Sequence, residues 1–445
     1  MKLFFVSLGC DKNLVDSEKM LALLLENEME ITEDAREAEV IIVNTCSFIH
    51  DAKQESIETI LEMAEQKETG NCRVLIVTGC LAQRYAADIR KEIPEVDAVV
   101  GTTAYDEIAS AVKRSLSGEN VCILKEVNYL PEGLTRRLQT SSPHTAYLKI
   151  AEGCNKRCTY CIIPSLRGDY RSVPMEELTE EAALLAEGGT RELILIAQET
   201  TVYGVDLYGK KALPELLHRL CQIEGIRWIR LMYCYPEEIT EELLLTMRKE
   251  EKICHYLDLP IQHCNDDILK RMGRRTNRAD LSEKIKKIRE ILPDITLRTT
   301  LISGFPGETV TQHEECVQFV AQTEFERLGV FPYSPEEGTP AAEYENQIEE
   351  NIKQQWADEI MEAEQNIIFR QNEKRIGKKL QVITDGYLPE EDIYVGRTYR
   401  DAPDIDGCVF FHAAHELLTG TFLTVLVTEA RGYDLIGEIC DEEDE

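Results

Sequence analysis

Three short apolar runs open the chain, at residues 3–8 (LFFVSL), 40–43 (VIIV) and 74–77 (VLIV), and each leads into a helical pattern. Residues 17–27 and 51–67 carry that pattern, with Ile57, Ile60, Leu61 and Ala64 at helical spacing. All-apolar strands alternating with helices predict a parallel sheet covered on both faces. We place this first α/β domain at 1–115. Residues 116–143, with Gly118, Pro131, Gly133 and Pro143, read as a linker.

A second alternation follows. Its predicted strands are 146–151, 192–197, 228–232, 256–259, 295–302 and 328–332. Predicted helices lie between them, near 176–187, 213–223, 237–249, 265–272, 280–291 and 309–323. Pro174 and Pro214 stand at helix starts, and Gly188-Gly189 at a helix stop. Six βα units are too few for a closed eight-stranded barrel, so the pattern predicts an open, partial (β/α)6 barrel. Its ligands should sit at the C-terminal strand ends. Apolar positions at helical spacing over 342–375 predict a long helix leading out, which closes this domain at 144–375. From 376 to 440 the texture changes to short segments with turns, at 379–383, 393–397, 407–412, 420–428 and 434–439. These predict a small antiparallel β-barrel. The acidic tail, 441–445, reads as disordered.

Composition narrows the function. In 445 residues, 49 Lys and Arg stand against 82 Asp and Glu, a net charge of −33. Phosphate binding needs clustered basic side chains, so a general nucleic-acid surface is excluded. The charge fits a soluble protein, or one whose partner is basic. A hydrophobic fraction of 43% rules out global disorder. No apolar run reaches the roughly 18 residues a membrane span needs. In MKLFFVSLGCDKN, Asp11 and Lys12 arrive too early for a signal peptide, and the segment reads as a buried first strand. The 15 cysteines are an odd number in a long chain, which is no disulfide framework. In a reducing cytoplasm they point instead to metal binding or catalysis.

Cys154, Cys158 and Cys161 form a CxxxCxxC just after the first barrel strand. Cubane iron–sulfur clusters take four thiolates. Three local ones leave one iron open for inner-sphere chemistry on a bound molecule. The alternative is a zinc loop, which needs a fourth ligand, and His144 lies across a strand. Cys10, Cys46 and Cys80 each follow the C-terminal end of an apolar strand. In a parallel sheet those ends share an edge, so the three thiols can converge on a second cluster. The alternative for each is a buried small side chain. The other nine cysteines show no ligand spacing, although Cys234 and Cys264 also follow barrel strands.

Segments AEGG (186–189), QETTVYG (198–204) and LISGFPGET (301–309) bound barrel strands, and glycines there permit close approach to a ligand. Gly188, Gly189 and Gly304, with Gln198, Arg298 and Tyr160, are therefore candidate contacts for a bound nucleoside or amino acid.

CxxxCxxC on a partial βα barrel resembles the radical S-adenosylmethionine enzymes. With an N-terminal three-cysteine domain and a TRAM-like C-terminal β-barrel, the chain resembles the methylthiotransferases over nearly its whole length. The matching pieces are SLGCDKNLVDSE (7–18), AEGCNKRCTYCIIPSLRGDYRS (151–172), LIAQETTVYG (195–204), YLDLPIQHCNDDILKRMGRR (256–275) and GFPGET (304–309). GRTYRDAPDIDG (396–407) is similar to the branch that modifies ribosomal protein S-twelve, and differs from the branch that acts on tRNA adenosine. Asp11 stands where the family often has Pro, and Val173 also departs from the pattern; neither is a ligand.

The resemblance implies two [4Fe–4S] clusters and S-adenosylmethionine. Cys154, Cys158 and Cys161 would hold the cluster whose open iron chelates S-adenosylmethionine, which one electron cleaves to a 5′-deoxyadenosyl radical. Cys10, Cys46 and Cys80 would hold an auxiliary cluster that binds the sulfur. The acceptor implied is the β-carbon of an aspartate in S-twelve, met free or on the small ribosomal subunit in the cytoplasm. A donor such as flavodoxin or ferredoxin would supply the electron. Charge bears on the substrate independently. From Gly377 to Glu445, 5 basic residues stand against 16 acidic, a net of −11. Such a domain suits a basic protein better than tRNA. A tRNA methylthiotransferase and a two-cluster redox protein remain the rival readings.

Overall fold

The computed structural model describes residues 1–131, 133 and 136–440; the acidic tail lies outside them. The first domain is a six-stranded parallel sheet, ordered β2-β1-β3-β4-β5-β6. Its strands are β1 (Lys2–Ser7), β2 (Glu30–Ile31), β3 (Val40–Thr45), β4 (Val74–Gly79), β5 (Ala98–Val100) and β6 (Val121–Ile123). β3 and β4 are buried along their whole length, as their unbroken apolar runs require. Alternate residues feed two cores, Val40 and Ile42 to one face, Ile41 and Val43 to the other.

The sheet corrects the predicted boundary. β6 lies inside 116–143, the segment read as a linker, and pairs with β5. Lys125 binds Asp106 at 2.6 Å, and the Leu138 amide donates to Glu18 O at 3.0 Å. Much of this segment is therefore part of the first domain. Strands of two or three residues are too short to stand out as apolar runs, which is why β2, β5 and β6 escaped the pattern.

The second domain matches its prediction closely. β7 (Thr145–Lys149), β10 (Glu192–Ile196), β11 (Trp228–Leu231), β12 (Ile253–Asp258), β13 (Thr296–Ser303) and β14 (Arg327–Pro332) form an open, all-parallel sheet in the order β14-β13-β12-β11-β10-β7. A short antiparallel ribbon interrupts the barrel after β7. Its strands, β8 (Ala151–Glu152) and β9 (Arg171–Ser172), clasp the base of the cysteine loop. Outer-face residues such as Leu148, Leu193, Leu195, Ile229 and Leu257 pack under the helices. The inner face holds Ile194, Ile196, Trp228, Met232 and Tyr256.

The exit helix runs Glu350–Glu373, a shorter span than 342–375, because a turn over Pro340–Glu343 precedes it. It delivers the chain to a closed barrel of β15 (Lys379–Leu388), β16 (Ile393–Thr398), β17 (Val409–His412), β18 (Phe422–Arg431) and β19 (Asp434–Ile439). All its pairings are antiparallel except the parallel β17–β19 pair.

This small barrel plugs the concave face of the open one. Ile383, Ala402 and Phe422 join its inner apolar cluster, with Trp228 edge-on to Phe422 at 4.8 Å. Glu192, fully buried, receives Arg230 at 2.8 Å and Arg397 at 2.9 Å. Such charges are tolerated out of water only because each is paired.

Glu364 sits where the exit helix meets the small barrel. It accepts from the Tyr433 hydroxyl at 2.6 Å, and its other oxygen has no partner. Burial pushes this carboxyl up from 4.5 to about 7, against the pull of Tyr433 and Arg327. Between those values the native state keeps a proton the unfolded chain has lost, so stability falls as pH rises across the window. Glu364→Gln should remove that slope. Its thermal midpoint should match wild type at pH 4 and exceed it at pH 8, by the equivalent of about 3 kcal/mol. Equal midpoints at both pH values would refute the assignment.

Candidate active site at the facing thiol triads

β1, β3 and β4 end at one edge, and a cysteine follows each. Ser7 pairs with Asn44 and Thr45 with Gly79, so Cys46 and Cys80 leave neighbouring strands side by side. Gly9 and Gly79 precede Cys10 and Cys80 at φ of +90° and +92°. A Cβ at Gly9 would stand 2.8 Å from the Cβ of Cys46, and one at Gly79 would stand 2.3 Å from Asn44 Oδ1. Only glycine satisfies both the backbone and the space. Asn13 pins the turns together by donating to Leu8 O at 3.0 Å and Thr45 O at 2.9 Å.

The second triad lies between β8 and β9. The Cys154 amide donates to Gly168 O, and the Cys161 amide to Cys158 O, both at 3.1 Å. The Lys156 amide points at Cys154 Sγ at 3.5 Å, a contact that suits a ligating sulfur. Thr159 ties the loop to the segment after the helix Asp266–Arg271, through Met272 O at 3.0 Å and Arg271 O at 2.8 Å.

The segment that follows the second triad packs against the first across the domain junction. Ile162, next to Cys161, packs with Leu166 against Cys80. Asp11, at the departure from the family pattern, accepts from the Tyr233 hydroxyl of the barrel at 3.2 Å.

Arg167 bridges the junction. Its Nη1 donates to Asp16 at 2.8 Å and Glu152 at 3.1 Å; its Nη2 donates to Asn13 Oδ1 and, at 3.5 Å, to Cys80 Sγ. Lys149 completes the buried network by donating to Asp16 and, at 2.9 Å, to Glu152. Burial disfavours the Glu152 carboxylate, yet Lys149 and Arg167 hold its pKa below the ordinary range.

Burial pushes Cys80 and Cys154 up to about 11 and Cys161 up to about 12. Each set interacts internally: Cys10 and Cys46 act on Cys80, while Cys158 and Cys154 act on Cys161. Ligation to iron would expel those protons, so loading should be favoured at higher pH.

Spacing separates the cluster from the zinc alternative. Zn–S bonds of about 2.3 Å place tetrahedral sulfurs within about 4 Å of one another. Among the described residues, only His263, Cys264 and Cys316 bring three ligating atoms within 4.8 Å. There Asn265 N–H donates to His263 Nδ1 at 3.0 Å, and Nε2 meets Glu308 at 3.1 Å, so both nitrogens are occupied. Neither cysteine triad is that tight. A cubane spreads its thiolates over separate irons and so does not require sulfurs that close.

The predicted cofactor contacts fare unevenly. Tyr160 is beside Cys158; burial, followed by the Cys158 charge, raises its pKa well above the usual value. Gln198 is at the C-terminal rim of β10. Its amide donates to Glu152 at 2.6 Å, and its carbonyl oxygen is buried without a partner. Gly188 and Gly189 correct the prediction. They end the helix Met175–Glu187 and precede β10, so they stand at the strand's N-terminal end, opposite the thiols. Strand-bracketing glycines look alike in sequence, and only the direction of the strand separates the two ends. Gly304 is at the correct rim, but a Cβ there would meet Lys353 Cγ at 2.3 Å, so its close approach serves the exit helix. Arg298 is committed to Asp258 at 3.0 Å and faces Asp406 of the small barrel at 3.8 Å.

Other residues at the rim were not foreseen. Lys156 binds Glu238 at 2.5 Å and approaches Glu199 at 3.5 Å. Burial pushes Glu199 up to about 7, with Lys156 opposing. Arg274 lies 4.3 Å over the Tyr235 ring, and its Nε and Nη1 are buried without acceptors. An anion bound here would find a guanidinium already stripped of water. The signal in sequence was the basic residues inside the cysteine motif and following the Asp266–Arg271 helix.

Comparison with known proteins places this arrangement. Residues 2–101 match the model described as "Uncharacterized protein family UPF0004", 148–320 the Radical SAM superfamily, and 376–440 the TRAM domain. A protein of Lachnoclostridium phytofermentans, named ribosomal protein uS12 methylthiotransferase RimO, is 60% identical over 98% of this chain and 99% of its own. The chain belongs to the RimO methylthiotransferase family. An Acetivibrio thermocellus member of the RimO family is 51% identical over 99% of both chains. The RimO-type fold is also like that of the radical S-adenosylmethionine methyltransferase TsrM from Kitasatospora setae, at TM-score 0.56, 14% identity and 76% coverage of each chain. Two [4Fe–4S] clusters and S-adenosylmethionine are the cofactors of a RimO-type methylthiotransferase, and all six cysteines of the two triads are free thiols.

Proposed function

We propose that this radical S-adenosylmethionine methylthiotransferase inserts a methylthio group at the β-carbon of an aspartate in ribosomal protein S-twelve. The near full-length 60% identity to a uS12 methylthiotransferase carries the reading. The facing triads supply its chemical rationale.

Cys154, Cys158 and Cys161 would hold the cluster with an open iron, and Cys10, Cys46 and Cys80 the auxiliary one. When bound, the two clusters and S-adenosylmethionine supply an electron, a hydrogen-abstracting radical and a transferable sulfur, which no side chain can provide. The chain's part is placement. Gln198 is held at the rim by Glu152, leaving its buried carbonyl oxygen free to accept from a ligand. Lys156 balances Glu199 and Glu238 beside the cysteine loop. Ile162 and Leu166 keep water from the space next to Cys80.

The acidic third domain supports a basic protein substrate over tRNA. Arg397 and Arg400 are buried, and Arg431 is paired with Glu429 at 2.7 Å. Of that domain's basic residues, only Lys378 and Lys379 stand exposed without a carboxylate partner among the described residues. No helix of the described residues is long and apolar enough to cross a membrane. Action on a ribosomal protein supports a cytoplasmic setting, and the proposed reductant is a low-potential carrier such as flavodoxin or ferredoxin.

The test offers S-twelve and tRNA to the reconstituted enzyme with S-adenosylmethionine and a reductant. A methylthio mass gain should appear on S-twelve. A gain on tRNA alone would overturn the substrate assignment, and absence of 5′-deoxyadenosine would overturn the radical chemistry.

A further inference from the structure

The geometry points to Arg167 as a positioning residue that sets the electron affinity of the group held by Cys10, Cys46 and Cys80. The inference rests on the assignment of those cysteines to the auxiliary cluster. It also makes that site complete only when the barrel domain is docked.

Arg167 ends the short helix Ile163–Arg167 that begins two residues after Cys161, and its side chain is 2% exposed. It therefore belongs to the loop of one triad while its Nη2 donates to Cys80 of the other at 3.5 Å. Asp16 and Asn13, both from the helix that starts beside Cys10, hold the guanidinium in place from the first domain. Glu152 holds it from the barrel. Thr102 adds a second link across the junction, its hydroxyl donating to Leu166 O at 2.8 Å. A planar guanidinium can serve several acceptors at once because its N–H groups form a rigid fork, which an ammonium lacks.

A cationic donor on a ligating sulfur draws electron density from it. The reduced cluster carries one more negative charge than the oxidised cluster, so the same contact stabilises the reduced form more and raises the potential. Hydrogen bonds from charged donors are the stronger kind, and burial leaves little solvent to screen this one. Glu152, which shares Arg167, also receives Gln198 at 2.6 Å. A continuous chain, Cys80–Arg167–Glu152–Gln198, thus runs from the auxiliary triad to the barrel rim.

The experiment uses full-length Cys158→Ala protein, which should retain only the auxiliary cluster after anaerobic reconstitution. Its reduction potential is followed by electron paramagnetic resonance during a redox titration, alone and combined with Arg167→Met or Arg167→Lys. The methionine variant should shift to a clearly more negative potential, and the lysine variant by less in the same direction. A purely packing role would lower iron content without moving the potential of the clusters that form. A cluster at unchanged potential in the methionine variant overturns the proposal. If that variant assembles none, unchanged potential in the lysine variant overturns it. If the Cys158→Ala parent itself holds no cluster, the assignment of Cys10, Cys46 and Cys80 fails instead.

Discussion

Cys158→Ala is expected to form no 5′-deoxyadenosine above a protein-free control, a loss of at least about a thousandfold, or ~4 kcal/mol of barrier. The reason is coordination rather than folding. Cys158 is buried in the loop between β8 and β9, and an alanine occupies less space without straining it. On the proposed assignment the remaining thiols, Cys154 and Cys161, would supply two ligands where the open-iron cluster needs three. The Tyr235 hydroxyl lies 3.9 Å from the lost sulfur, and a phenol is a poor substitute for a thiolate. Iron content should fall by half while the circular dichroism of the apoprotein is unchanged. Formation of 5′-deoxyadenosine at the wild-type rate would remove Cys158 from the site.

Cys46→Ala should separate two activities that Cys158→Ala abolishes together. S-adenosylmethionine cleavage should stay within about an order of magnitude of wild type, whereas methylthio transfer to S-twelve should fall more than about a hundredfold. Cys46 belongs to the first domain, and its amide is already satisfied by Ser56 Oγ at 3.0 Å. Its side chain packs against Gly9 of the same domain. Loss of its sulfur breaks the auxiliary triad and leaves Cys154, Cys158 and Cys161 intact. The measurement is paired: 5′-deoxyadenosine by chromatography and the S-twelve peptide by mass. Continued sulfur insertion would show that Cys46 holds nothing the reaction needs.

Local pattern carried much of this protein. Unbroken apolar runs marked β1, β3 and β4, and placed Cys10, Cys46 and Cys80 at one edge, because parallel strands of alternating βα units end together. Apolar spacing marked all six barrel strands, and CxxxCxxC announced itself by ligand type and separation. The misses have equally local causes. β5 and β6 are three residues each, below the length at which periodicity is legible. Gly188 and Gly189 were given to the wrong end of β10, since a glycine pair looks the same at either end.

What sequence could not show is which distant residues meet. GRTYRDAPDIDG marked a family branch, but docking turned it into the plug of the open barrel. Arg397 reaches Glu192, Asp401 binds Arg327, and Asp406 accepts from Tyr256 at 2.7 Å. Arg298 was read as a cofactor contact, but it pairs with Asp258 of the neighbouring strand, and the same docking sets Asp406 against it. Arg167 likewise looked like one more basic residue after a cysteine motif, until the first domain brought Cys80 within 3.5 Å. By itself, the sequence determined the elements, the two thiol sets and the chemistry they can support, since helical and strand periodicity and ligand spacing are properties of neighbouring residues. The meeting of the triads, and the buried charges that hold them together, was decided only by tertiary structure. Contacts such as Cys80 with Arg167 depend on how whole domains pack to pair charges removed from water.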